Sequence, residues 1–114
     1  MAQVLIEMEE NPDIFFLAGD LGFNALEKIK ERFPKRFLNV GIAEQHMVGM
    51  ASGLALEGKK VIVYSIASFA TLRPYEQIRD DVCYQNLDVK IVGTGGGFNY
   101  ANHGVTHHTI EDLA

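Results

Sequence analysis

Four short apolar runs, separated by stretches with helical spacing, limit the folds open to this chain more than any other feature. They fall at residues 14–18 (Ile-Phe-Phe-Leu-Ala), 37–40 (Phe-Leu-Asn-Val), 61–66 (Val-Ile-Val-Tyr-Ser-Ile) and 89–93 (Val-Lys-Ile-Val-Gly). All are too short for helices, and the first and third are apolar at consecutive positions. That pattern belongs to parallel strands buried on both faces. Residues 2–10, 24–33 and 43–57 have helical spacing, and Gly58 ends the third of these in the manner of a C′ glycine. Another helix is expected from Phe69 or Pro74 to Tyr84, with Pro74 tolerated only near a first turn. Residues 98–107 read as loop, and Thr109 opens a helix that the chain does not complete. The alternation predicts an α/β fold, a parallel sheet with helices on both faces.

Length and charge narrow the classes of function. At 114 residues the chain reads as one domain over 1–114, cut short at its carboxyl end. A net charge of −5 argues against nucleic acid or an anionic membrane as the main partner. No apolar run approaches the ~20 residues of a membrane span. The amino terminus, with acidic residues close behind its apolar ones, does not resemble a signal peptide. A single cysteine, Cys83, forms no internal disulfide, which suits a reducing, cytoplasmic setting. It is expected as a small core residue on a helix face.

Parallel sheets bind ligands at the carboxyl ends of their strands. Asp20, Glu44, the 66–69 turn and the 93–97 turn all fall there, so four loops converge on one edge. Glu44 stands in an almost uncharged segment where Gly41 allows a strand to turn into a helix. It is either an N-terminal charge favoured by the helix dipole or a working acid–base group. Asp20 either caps the turn after it or serves a site. Phe69 fits a core position at a helix start, Tyr75 fits core or pocket, and His107 fits an exposed loop. His103, His107 and His108 lack the companion ligands of a recognisable zinc site, so no metal is expected on this chain. The glycines at 95–97 precede no helix, which rules out a P-loop or dinucleotide reading. They suit a close approach of backbone to a ligand or partner.

Four motifs in order carry more than these positions do singly. They are Val-Gly-Ile-Ala-Glu-Gln-His-Met from Val40, Gly-Leu-Ala-Leu-Glu-Gly-Lys-Lys-Val from Gly53, Ser-Phe-Ala-Thr-Leu-Arg-Pro-Tyr-Glu-Gln-Ile-Arg from Ser68, and Gly-Val-Thr-His-His-Thr-Ile-Glu-Asp from Gly104. From about Phe15 to its last residue the chain resembles the pyrimidine-binding domain of transketolases. The resemblance implies the thiamine diphosphate-binding fold and a thiamine diphosphate cofactor. It also implies ketol transfer between sugars or sugar phosphates. In that family the residue matching Glu44 contacts a ring nitrogen of the aminopyrimidine and shares a proton with it, which requires a carboxyl shielded from water. Phe69 would stack on that ring, with Tyr75 and Leu72 as further pocket wall. Asp20 would approach the cofactor and the subunit boundary, and His107 the substrate channel.

The resemblance also implies that this chain holds only part of a site. The magnesium ligands belong to a diphosphate-binding domain, expected here on a partner subunit or a missing segment, within a homo-oligomer such as a dimer. The Gly-Asp-Leu-Gly at 19–22 is not that domain's metal motif. Two positions depart from the family. Gly95 stands where sugar-phosphate transketolases carry a histidine, and His103 where they carry an aspartate. Both lie in the substrate channel, so the cofactor part of the likeness is firmer than the choice of sugar. The alternatives are a non-catalytic dimerisation or regulatory domain, and part of a deoxyxylulose-phosphate-synthase-like enzyme.

Overall fold

A computed structural model describes residues 2–113. Helix α1 (Ala2–Glu10) ends at Asn11, whose side chain accepts the Asp13 N–H at 3.0 Å and turns the chain into β1 (Ile14–Ala18). There follow α2 (Glu27–Arg32), β2 (Phe37–Asn39), α3 (Glu44–Leu56), β3 (Lys60–Ile66), α4 (Ala67–Thr71), α5 (Tyr75–Gln77) and β4 (Val89–Thr94). A π-helical segment, Ile78–Cys83, continues α5, and a 3₁₀ segment, Ala101–Thr106, follows β4. The strands form one sheet in the order β2-β1-β3-β4, every neighbouring pair parallel. This is the predicted α/β architecture.

Side-chain alternation divides the core in two. On one face Phe16 and Ala18 of β1 meet Met8 of α1 and Ile29 of α2, all buried, with Ile62 and Tyr64 packed against them. Phe16 stacks on Phe37 at 5.9 Å between ring centroids and meets Tyr64 at 6.0 Å. On the other face Leu17, Val61 and Val63 meet Met47 and Ala51 of α3. Gly58, at φ 81°, closes α3: its N–H donates to the Ala55 carbonyl at 3.0 Å, and the Lys59 N–H donates to Leu54 at 3.1 Å. That pair of bonds is a Schellman cap. Lys59 also donates to Asp13 at 2.7 Å, and this bond and charge hold the Asp13 carboxyl below its ordinary 3.8. The clip therefore contributes above that value and is lost as pH falls through the lowered one.

The structure differs from expectation in several places, and residues 101–106, expected as loop, form the 3₁₀ segment. Of the two starts expected for the helix ending near Tyr84, Pro74 is the one found. Helix α4 stops at Thr71, since Pro74 donates no N–H and disfavours a helical residue before it, and α5 with the π-helical segment runs from Tyr75 to Cys83. Thr109 opens no helix. It exchanges two backbone hydrogen bonds with Gly97, at 2.9 and 3.0 Å, and closes the 98–108 loop. Cys83 is exposed, since its neighbour Val82 takes the buried position. On β4, Val89 and Ile91 join the α3 face while Lys90 and Val92 stay exposed, because α1 and α2 cover only the β2–β1–β3 part of the other face. Among the described residues no helix is long and apolar enough to cross a membrane.

Phe16→Ala should lower the unfolding free energy by about 3–5 kcal/mol, whereas Phe23→Ala, at a side chain 79% exposed, should change it by under about 0.5 kcal/mol. Urea denaturation of the two variants checks the contrast, and equal losses would contradict the packing described.

Candidate functional site

The sheet order places β2 on one side of β1 and β3 on the other. The chain's direction of winding therefore reverses between β1 and β3, and the carboxyl ends of those strands frame a crevice suited to ligands. The turn after β2 feeds it. The Asn39 side chain accepts the Gly41 N–H at 2.9 Å, and Gly41 adopts φ 75°. Two residues on, Ala43 caps α3 without a side-chain bond, and Glu44 opens the helix. A carboxylate in this first turn suits the helix dipole.

Glu44 is only 2% exposed, and each of its oxygens has one donor. Ser65 Oγ donates to Oε1 at 2.9 Å, and Arg73 Nη1 donates to Oε2 at 2.7 Å. Ser65 reaches it because period-two alternation puts Val61, Val63 and Ser65 on the α3 face of β3. The first two fill the core, and the third presents a hydroxyl to the helix start. Gly19 follows β1 directly, and a Cβ there would stand 3.0 Å from Ser65 Oγ and 3.5 Å from Glu44 Oε1. Glycine leaves that space to the carboxylate. Arg73 lies in the joint between α4 and α5, and its guanidinium carbon sits 3.8 Å from the centre of the Phe69 ring. Its side chain remains 42% exposed.

An open depression of about 690 Å³ is lined by Ile42, Ala43, Glu44, Gln45, His46 and Arg73. A second, of about 580 Å³, lies between α1 and α2. Its charged lining residues, Glu27, Lys28 and Glu31, are all exposed, so it has no shielded group to act as an acid or base. Among the described residues no three His, Cys, Asp or Glu side chains are placed to hold a metal.

Phe69 links this centre to a group of rings. His107 meets it edge-on at 5.0 Å, His103 lies 4.9 Å from His107, and Tyr100 is 5.7 and 5.8 Å from the two imidazoles. Thr106 Oγ1 is 2.9 Å from His107 Nδ1, and Ser68 Oγ donates to the Thr106 carbonyl at 3.3 Å. A Cβ on Gly95 would collide with the Tyr100 ring, so the glycine at this position makes room for an aromatic side chain. Positions 95 and 103 thus both meet Tyr100.

Glu44, Phe69 and His107 therefore form a connected series of contacts through Arg73. Asp20 stands apart: it adopts φ 51°, is exposed, and accepts a hydrogen bond from Asn39 Nδ2 at 2.9 Å, tying the end of β1 to the end of β2. Tyr75, 64% exposed, does not line the depression. Arg73, Ser65 and Gly19 were not singled out from the sequence. The signal for Ser65 was its register with Val61 and Val63, and that for Arg73 was its place inside the motif containing Phe69.

Comparison with known proteins follows the same lines. The profile of the family described as transketolase, pyrimidine binding domain, matches residues 3–114. The chain is 49% identical over 85 residues to an apulose-4-phosphate transketolase subunit of Actinobacillus succinogenes, covering 75% of this chain and 27% of that protein. It is 39% identical over 112 residues to a subunit of the same description from Phocaeicola vulgatus, covering 96% and 36%. A solved structure described as a split gene transketolase, inactive beta4 tetramer, matches with a TM-score of 0.81 at 41% identity, over 97% of this chain and 35% of that one. The chain spans about a third of the length of these relatives.

If Ser65 holds the carboxylate, Ser65→Ala and Glu44→Ala should couple by about 0.5–3 kcal/mol in a double-mutant cycle read by urea unfolding. Strict additivity would separate the two side chains energetically.

Proposed function

The chain belongs to the transketolase family, as its pyrimidine-binding domain, and on that footing we propose that it supplies the aminopyrimidine half of a thiamine diphosphate site. The enzyme it serves transfers a ketol unit between sugars or sugar phosphates. The observation that carries this is the Glu44 carboxylate, 2% exposed, with one donor on each oxygen and a depression beside it. A shielded carboxylate joined to an aromatic face through one flat cationic group, Arg73, fits a flat, basic heteroaromatic ring.

Glu44 is the group that would share a proton with a ring nitrogen, and its burial keeps water from competing for that bond. Phe69 offers the ring a stacking face, worth on the order of 1 kcal/mol beyond area burial. When bound, thiamine diphosphate supplies the electron sink for carbon–carbon bond exchange. His107, whose imidazole can offer one nitrogen as donor and the other as acceptor, is assigned to substrate hydroxyls. Asp20 and Tyr75, both exposed, are assigned to the rim where the cofactor enters and a second polypeptide closes the site. That polypeptide is a diphosphate-binding subunit or domain, which would carry the magnesium ligands. A homo-oligomer of the paired subunits completes the proposal.

Two further readings keep the fold: a non-catalytic dimerisation domain, and a part of an enzyme condensing pyruvate in the manner of deoxyxylulose-phosphate synthase. Mixing the chain with its diphosphate-binding partner, thiamine diphosphate and magnesium distinguishes them. Ketol transfer from ketose donors should appear and fall by at least ~100-fold in Glu44→Ala. Equal rates in both proteins would remove Glu44 from the chemistry, and turnover with pyruvate as donor and an aldose phosphate as acceptor, in place of ketose donors, would move the chain to the condensing class.

A further inference from the structure

Arg73 makes the same two contacts that the proposal above asks of an aminopyrimidine. Its guanidinium donates to Glu44 Oε2 at 2.7 Å and lies over the Phe69 ring with Cζ 3.8 Å from the centroid. A protonated aminopyrimidine is likewise planar, cationic and a hydrogen-bond donor, and it prefers an aromatic face for the same reasons. Two flat groups cannot occupy one place. We infer that Arg73 is a built-in occupant of the pyrimidine site, which the cofactor's ring must displace. The inference rests on the thiamine diphosphate reading of Glu44.

Several features suit a side chain that comes and goes. Arg73 lies in a joint outside regular helix, between Thr71 and Tyr75 and next to Pro74, so its departure breaks no helical hydrogen-bond ladder. Its side chain is 42% exposed and lines the open depression, which gives the guanidinium water to move into. Glu44 does not depend on Arg73 alone, because Ser65 Oγ holds Oε1 separately. The carboxylate therefore keeps its direction when Oε2 changes partner. Meanwhile the guanidinium neutralises a carboxylate that would otherwise be buried without a cation, a costly state. The occupant thus keeps the site assembled and makes the ring compete for it.

The prediction concerns binding, not turnover. The assembled complex with the diphosphate-binding subunit is titrated with hydroxymethyl aminopyrimidine, the cofactor's ring without its thiazolium and diphosphate. Removing the occupant should tighten this fragment's dissociation constant about tenfold, the factor by which a site open one tenth of the time weakens apparent affinity. Arg73→Met is the direct variant. Arg73→Leu, which likewise leaves no donor to Glu44, is the second, should the first fail to fold. In the unsubstituted protein the side-chain Nε–H resonance of Arg73 should shift towards a solvent-exposed value as the fragment binds. Tighter binding together with that shift supports the inference. Equal or weaker binding in the variants, or an Arg73 resonance unmoved in the bound protein, overturns it while leaving the cofactor reading standing. No binding by any of the proteins overturns the cofactor reading and the inference with it.

Discussion

A carboxylate withdrawn from water is expensive unless its charge and its lone pairs are both answered, and the centre of this molecule is arranged to answer them at Glu44. The start of α3 contributes the dipole, β3 a hydroxyl, the α4–α5 joint a guanidinium, and the end of β1 the space that a side chain would fill. These four contributions come from between residues 19 and 73, so distant parts of the chain must come together for the carboxylate to be satisfied. The same requirement explains why the crevice lies where it does. Only where the strand order reverses do the carboxyl ends of β1 and β3 leave a gap into which a third element, the amino end of α3, can aim a side chain.

The strands were readable because their signal is local. Consecutive apolar residues such as Phe15, Phe16 and Leu17 fill both faces of a parallel sheet, and no distant residue is needed to see it. The helices were harder wherever a distant contact decides. Gly93 admits α4 against β4 so closely that an added Cβ would stand 2.8 Å from Ala67 Cα. No periodicity at 67–84 foretells that. Thr109 has helix-like neighbours, yet it pairs with Gly97, twelve residues earlier, because that bridge satisfies backbone groups that a lone helical turn would leave open. Cys83 is exposed for a smaller reason: the neighbouring Val82 is the residue that turns to the core.

The site was legible in its chemistry and not in its partners. A glutamate alone in an apolar stretch draws notice, whereas a serine in a strand or an arginine before a proline does not. Ser65 and Arg73 matter only through what they touch, twenty-one and twenty-nine residues from Glu44 in the chain. Gly95 is the instructive case: read alone it is only a small residue, and in space it is room for Tyr100, which packs beside His103 and His107.

The connections leaving the carboxyl ends of β1, β2 and β4 each bear a large, exposed apolar side chain, Phe23, Ile42 and Phe98, and Leu72 follows α4. One such residue needs no explanation, but their recurrence from one strand to another invites one. Their cost in water is recovered if a second polypeptide lies across this edge. The same act would shield the depression beside Glu44 and strengthen every electrostatic contact within it. Glu44 is already withdrawn from water within this chain, so what a covering polypeptide would add is closure of the open depression beside it.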